Sequence, residues 1–193
     1  MIHHEIPDEL SGAIFDLDDT LLDNKQGGPA GHSLHERSQL QALRLVGEKY
    51  DIPELTHVSA EESLDAFLTA PDHTHESAIW NLFIQLGLTS SKAIDFANTI
   101  LAEAVEAKEL LHEKILFDEG DEIPGAIDFA RRLADHYDLW GRTSMASTAV
   151  RKNANIFIEK KEAHDLFPHQ RVFTNETVRF KKPHPEVYDR AFA

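Results

Sequence analysis

Four aspartates, Asp16, Asp18, Asp19 and Asp23, stand within eight positions behind the apolar run Ala13–Ile14–Phe15 in the stretch AIFDLDDTLLDN. Carboxylates at that density repel one another and cannot enter a core without partners. The apolar strand must therefore end at Phe15 and open there, either into a solvated Asx-rich turn or into a site for a metal ion and a phosphoryl group. In a parallel sheet, ligands bind beyond the carboxyl ends of the strands. Extended backbone would put Asp16 and Asp18 on the same side of such a crevice, because side chains alternate. A carboxylate pair at i and i+2 can divide labour, one as an anionic nucleophile and the other as proton donor and acceptor.

Beyond this strand, read as residues 11–15, the loop KQGGPAG breaks the pattern and reads as a hinge. A helical period follows. SLHERSQLQALRLVGEKY sets Leu34, Leu40, Leu43, Leu45 and Val46 on one largely apolar face. SAEESLDAFLTA opens with a capping box, Ser59 to Glu62. ESAIWNLFIQLG and SKAIDFANTILAEAVEAKELLHEK complete four helical segments, enough for a small bundle in which Trp80, Phe83 and Ile84 read as core. The grammar changes at FDEGDEIPG. Pro124–Gly125 starts the helix AIDFARRLADHY, DLWGRT is the next strand, STAVRKNANIF a helix, RVFT a strand, and PEVYDRAFA the beginning of another helix. This alternation predicts an α/β fold with a Rossmann-like parallel sheet. Its core comprises residues 1–24 and 118–193, and residues 25–117 form an inserted helical bundle.

Composition narrows the function. The chain of 193 residues fits one domain with an insertion. A net charge of −15 without a basic stripe argues against nucleic acid as a partner. Without cysteine, neither a disulfide framework nor a thiolate zinc site can form. MIHHEIPDEL has no signal-peptide pattern, and no apolar run reaches membrane-spanning length, so a cytoplasmic protein without membrane contact is the default expectation. No feature specifies an oligomeric state.

FDLDDTLLD resembles the first motif of the haloacid dehalogenase-like superfamily, Asp-x-Asp-x-Thr after an apolar strand. Two further motifs match in order. DLWGRTSMAS supplies Thr143, with Ser144 beside it, for the family's Thr or Ser at the end of the next strand; KKPHPE supplies Lys182, Pro183 and Pro185, with Glu186 where Asp is usual. The helical insertion is similar to the family's cap of that position, so the resemblance spans nearly the whole chain.

The resemblance implies a Mg²⁺-dependent phosphatase acting on a small phosphorylated metabolite through an aspartyl-phosphate. Asp16 would attack phosphorus, Asp18 would protonate the leaving oxygen and then activate water, and Mg²⁺ would bind the Asp16 carboxylate and the Asp18 main-chain oxygen. Thr143, with Ser144, would bind a phosphoryl oxygen, and Lys182 would neutralise charge. An acid at Asp18 favours phosphoryl transfer over carbon–halogen cleavage. A sugar phosphomutase of the same superfamily and a truncated, non-catalytic relative acting as a binding module are the alternatives. The family's fourth motif, an acidic pair that completes the metal shell, is absent from this sequence, and the expectation is a fragment of a longer protein.

The twelve histidines invite a metal reading, with His3–His4 and His73-x-His75 the closest pairs, but a loop with polar caps accounts for them better. His32, His35 and Arg37 either face the site from the cap or lie exposed on their helix. Asp19 and Asp23 read as turn or outer residues, and Lys181 as the rival of Lys182.

Overall fold

The structure, a computed structural model, describes residues 8–25, 33–72, 74–89, 94–180 and 182–192. In chain order it comprises β1 (Ala13–Phe15), β2 (Leu22–Asp23), α1 (Leu34–Tyr50), α2 (Pro53–Thr56), α3 (Ala60–Leu68), α4 (His75–Gln85), α5 (Ile94–Glu119), β3 (Asp121–Glu122), α6 (Ala126–Tyr137), β4 (Thr143–Ala146), α7 (Arg151–Lys160), β5 (Val172–Phe173) and α8 (Glu186–Phe192). Two compact units result. One runs to Asn24 and resumes at Gly120; the other is Lys25–Glu119.

The first unit is α/β. Its three strands are parallel in the order β1-β4-β5, with Ala13 opposite Thr143, Phe15 opposite Met145 and Ala146 opposite Phe173. Parallel strands need crossovers, and the alternation of β4, α7 and β5 supplies one. Phe15 meets Phe167 edge-on at 5.8 Å, while Met145, Ala146, Ile127 and Phe157 are buried around the sheet. A second, antiparallel ribbon pairs Leu22 with Glu122 and Asp23 with Asp121.

One strand lies later than DLWGRT suggests. Gly141 takes φ 77, a left-handed conformation that extended backbone cannot continue through, and Arg142 N closes a turn onto Leu139 O at 2.8 Å. Strand β4 therefore begins at Thr143 rather than ending there.

The second unit is all helix. Buried Leu43, Val46, Leu82, Phe83, Ile100 and Ala104 form one cluster, with Trp80 packed partly against it. Leu45 and Ile84, expected in the apolar faces, are instead exposed. Each follows or precedes a buried neighbour by about 100° of helix, which turns it outward. The Ser59–Glu62 capping box is formed: Glu62 N donates to Ser59 Oγ at 3.2 Å, and Ser59 N to the Glu62 carboxylate at 2.8 Å. The last helix runs through Phe117 and Asp118 to Glu119, so the break comes at Gly120.

Candidate active site

Asp16 follows β1 directly, at the carboxyl end of the sheet, and its carboxylate is 43% exposed. The turn after it is built around one acceptor, Leu17 O, which receives the amides of Thr20 at 3.3 Å and of Leu21 and Leu22 at 2.9 Å. Asp19 N returns to Leu22 O at 3.0 Å. Asp19 takes φ 55, which aspartate tolerates better than most residues, and so it serves the turn. These bonds flank Asp18 without engaging its own amide or carbonyl.

The Asp18 carboxyl is raised above the ordinary carboxylate range, chiefly by burial. A hydrogen bond from Asn24 opposes this, Asp16 and Asp19 add to it, and Lys182 opposes it. Asp16 Oδ1 accepts from Leu17 N at 2.8 Å and lies 3.0 Å from Lys182 Nζ. Two adjacent carboxylates thus sit in unlike surroundings, one solvated beside a cation and one desolvated.

Lys182 reaches the site from a loop held by α8. The Glu186 carboxylate accepts from Phe180 N at 2.8 Å and Arg179 N at 3.0 Å, which favours its charged form and holds the carboxyl below its usual range. From there Lys182 Nζ donates to Ala146 O at 2.7 Å as well as facing Asp16. The ammonium joins the ends of β1 and β4. Lys181 lies outside the described residues.

Thr143 and Ser144 are elsewhere. Register puts Thr143 level with Ala13, at the opposite end of its strand from Asp16. Its buried hydroxyl donates to Leu166 O, and Ser144 Oγ donates to Ala191 O at 3.2 Å. Neither hydroxyl is in the Asp16 crevice. The late start of β4 moves that position to Ser147, one residue past the carbonyl that Lys182 holds. Ser147 is 2% exposed, its N–H donates to Phe173 O at 2.9 Å, and its Oγ accepts from Ala149 N at 3.0 Å. With its acceptor side engaged, the hydroxyl retains a proton to donate. Gly141 was the signal that would have found it.

Asn24 was also not anticipated. It is buried, and its Nδ2 donates to Asp18 Oδ1 at 3.1 Å.

In the helical unit, His35 is neither exposed nor isolated. It stacks on His112 and His75, with Lys108 Nζ 3.5 Å from its Nδ1. Arg37 pairs with Glu119 at 2.5 Å. Among the described residues no group of three His, Cys, Asp or Glu is arranged to hold a metal ion. His3, His4, His32 and His73 lie outside the described residues. No described helix is long and apolar enough to cross a membrane.

The residues at Asp16 fit Mg²⁺ as an ion that keeps several waters and takes one or two protein oxygens plus substrate phosphate, rather than one enclosed by protein. The half-exposed Asp16 carboxylate and the Asp18 carbonyl, which accepts no hydrogen bond among the described residues, are oxygen donors of that kind.

The profile of the haloacid dehalogenase-like hydrolases matches residues 10–193. Among solved structures, the chain is similar to a haloacid dehalogenase-like hydrolase of Bacteroides fragilis at 18% identity, over 93% of this chain and 70% of that one, with a TM-score of 0.52. It is likewise similar to the HAD-hydrolase YfnB of Bacillus subtilis, a structure bound to magnesium, at 18% identity, over 93% and 71% of the two chains, with a TM-score of 0.51. At such identity the likeness is one of fold. No curated protein matches the chain.

Proposed function

The chain belongs to the haloacid dehalogenase-like hydrolases, and from that premise we propose that it hydrolyses phosphate monoesters of small metabolites through an aspartyl-phosphate on Asp16. The observation that carries the reading is Lys182. Its ammonium stands 3.0 Å from the Asp16 carboxylate and 2.7 Å from the end of β4, a fixed cation where an anionic group would sit.

Asp16 attacks phosphorus, and the bond to the leaving oxygen breaks. Asp18 gives that oxygen its proton, a task that its burial favours by raising the carboxyl above the ordinary carboxylate range. Water then attacks the same phosphorus, Asp18 takes the water's proton, and the Asp16–phosphorus bond breaks to release phosphate. Ser147 donates its hydroxyl to a phosphoryl oxygen, the role first assigned to Thr143. Lys182 balances the charge on Asp16 and the phosphoryl group. The Asp16 carboxylate and the Asp18 carbonyl would hold Mg²⁺, whose charge would further neutralise the phosphate.

The test is hydrolysis of p-nitrophenyl phosphate with and without Mg²⁺, beside Asp16→Asn, after circular dichroism shows both proteins folded. Metal-dependent turnover lost in the variant supports the reading. A folded wild-type chain without turnover favours the binding-module alternative.

A further inference from the structure

We propose that Asn24 is a positioning residue for the proton-transferring carboxyl of Asp18; the inference rests on the role given to Asp18 above. The contact is direct, Nδ2 to Oδ1 at 3.1 Å. The amide nitrogen donates and Oδ1 accepts, so the side chain presents its NH₂ to Asp18 and any proton on the carboxyl sits on Oδ2. Its other end is left without service. Asn24 is 5% exposed, and its Oδ1 is buried with no hydrogen-bond partner among the described residues. A buried acceptor left unsatisfied costs stability, which an apolar side chain of similar size would not. Folding alone therefore does not account for an amide at this place.

What the amide supplies is a donor fixed on one oxygen of Asp18. With Oδ1 held, the carboxyl plane cannot turn freely about its Cβ–Cγ bond, and Oδ2 is the oxygen left to exchange a proton with the leaving group and with water. The local fold explains the delivery. Leu22 N on Leu17 O and Asp19 N on Leu22 O clamp the turn, and Asp23 pairs with Asp121 in the ribbon. The chain is thereby led back past Asp18, and Asn24, six residues on, meets its side chain. Lys182, the other nearby donor, is committed to Asp16 and Ala146.

The experiment compares kcat/KM for phenyl phosphate and p-nitrophenyl phosphate in wild type, Asn24→Ala, Asn24→Leu, Asp18→Asn and Asp16→Asn, with the thermal midpoint of each. Phenol leaves as a stronger base than p-nitrophenol and depends more on a well-placed proton. The expected result for both Asn24 variants is a loss of about 10- to 100-fold on phenyl phosphate, less than the roughly 10²- to 10⁴-fold of general acid catalysis because the acid itself remains, and a loss of under about threefold on p-nitrophenyl phosphate. Their midpoints should stay at or above wild type. Equal losses on the two substrates, no loss on either, or a lowered midpoint in both variants would overturn the inference and make Asn24 structural. The function reading fails separately, and takes this inference with it, if wild type has no turnover, if Asp16→Asn retains it, or if Asp18→Asn shows no preference for the better leaving group.

Discussion

The imidazoles of His35 and His112 stack at 4.0 Å between centroids and 12° from parallel in the helical unit, with His112 buried and His35 half-buried. Three helices bring polar groups to this stack. From α4, His75 lies 4.9 Å from His35 and its Nδ1 is 3.3 Å from Gln39 Oε1 of α1; from α5 come Lys108 and, 3.0 Å from the ammonium, Glu109. Phe67 of α3 closes on His75 at 5.5 Å. Burial first, then the neighbouring bases, pushes His35 well below the ordinary imidazole value and holds His75 and His112 at about 3.

Acid should therefore loosen this unit. The unfolded chain takes up these protons near pH 6.5, whereas the folded one refuses them until far lower. Their contribution is whole above about pH 6.5 and falls as pH falls, by roughly 1.36 kcal/mol per pH unit for each proton that only the unfolded state binds. Glu62, Asp72 and Glu103 are depressed carboxylates, and they lose their contributions only below their unfolded values near 4. Urea midpoints followed by helical circular dichroism should drop between pH 7 and 5, less steeply in His112→Phe. A midpoint level across that range would contradict the account.

Ser147 and Thr143 separate activity from stability. Ser147→Ala should lower kcat by about 10²- to 10³-fold, as loss of one donor to a reacting oxygen does, with the fold intact. Thr143→Val keeps the volume but strands the Leu166 carbonyl, and should cost about 1–3 kcal/mol in urea unfolding while leaving the folded protein active. The reverse pattern would restore the site to Thr143.

On the proposed reading, Lys182 and Mg²⁺ would compete for the charge of Asp16. Lys182→Met should abolish most turnover yet tighten Mg²⁺ several-fold in titration calorimetry, since a cation 3.0 Å from the ligand oxygen is removed. Weaker Mg²⁺ binding in a folded variant would place the ion away from Asp16.

Gly47 marks a close crossing of α1 over α2. A Cβ there would stand 2.9 Å from Thr56 N and 3.0 Å from Ile52 O, both backbone atoms that cannot step aside. Gly47→Ala should cost the helical unit about 1–3 kcal/mol, against the usual gain from alanine in a helix. Unchanged thermal unfolding would show that the crossing yields.

The legible parts of this chain were those with local signals. An apolar triplet running into aspartates locates Asp16, and a lysine ahead of Pro183-x-Pro185 locates Lys182. Thr143 was misread because Leu139 and Trp140 look like strand, while the true start is set by Gly141 and by register with β1, a partner far off in sequence. β2 and β3, two residues each, are too short to show any period. The stacked histidines escaped because imidazoles packed face to face do not register as apolar. Asn24 escaped because a hydrogen bond across a turn has no pattern at all.

Asp23 and Asp121 face each other across the ribbon, so the chain leaves the sheet unit and re-enters it at adjacent points. During synthesis β1 emerges long before its partner β4, and the helices between them, rich in local contacts, have time to form first. Once the ribbon closes, joining β1 to β4 costs the entropy of a short loop rather than that of everything in between. The helical unit is then a passenger in the assembly of the sheet. Evolution or an engineer can lengthen, exchange or excise it between Asn24 and Gly120 and still recover the register that sets Asp16 level with Ala146.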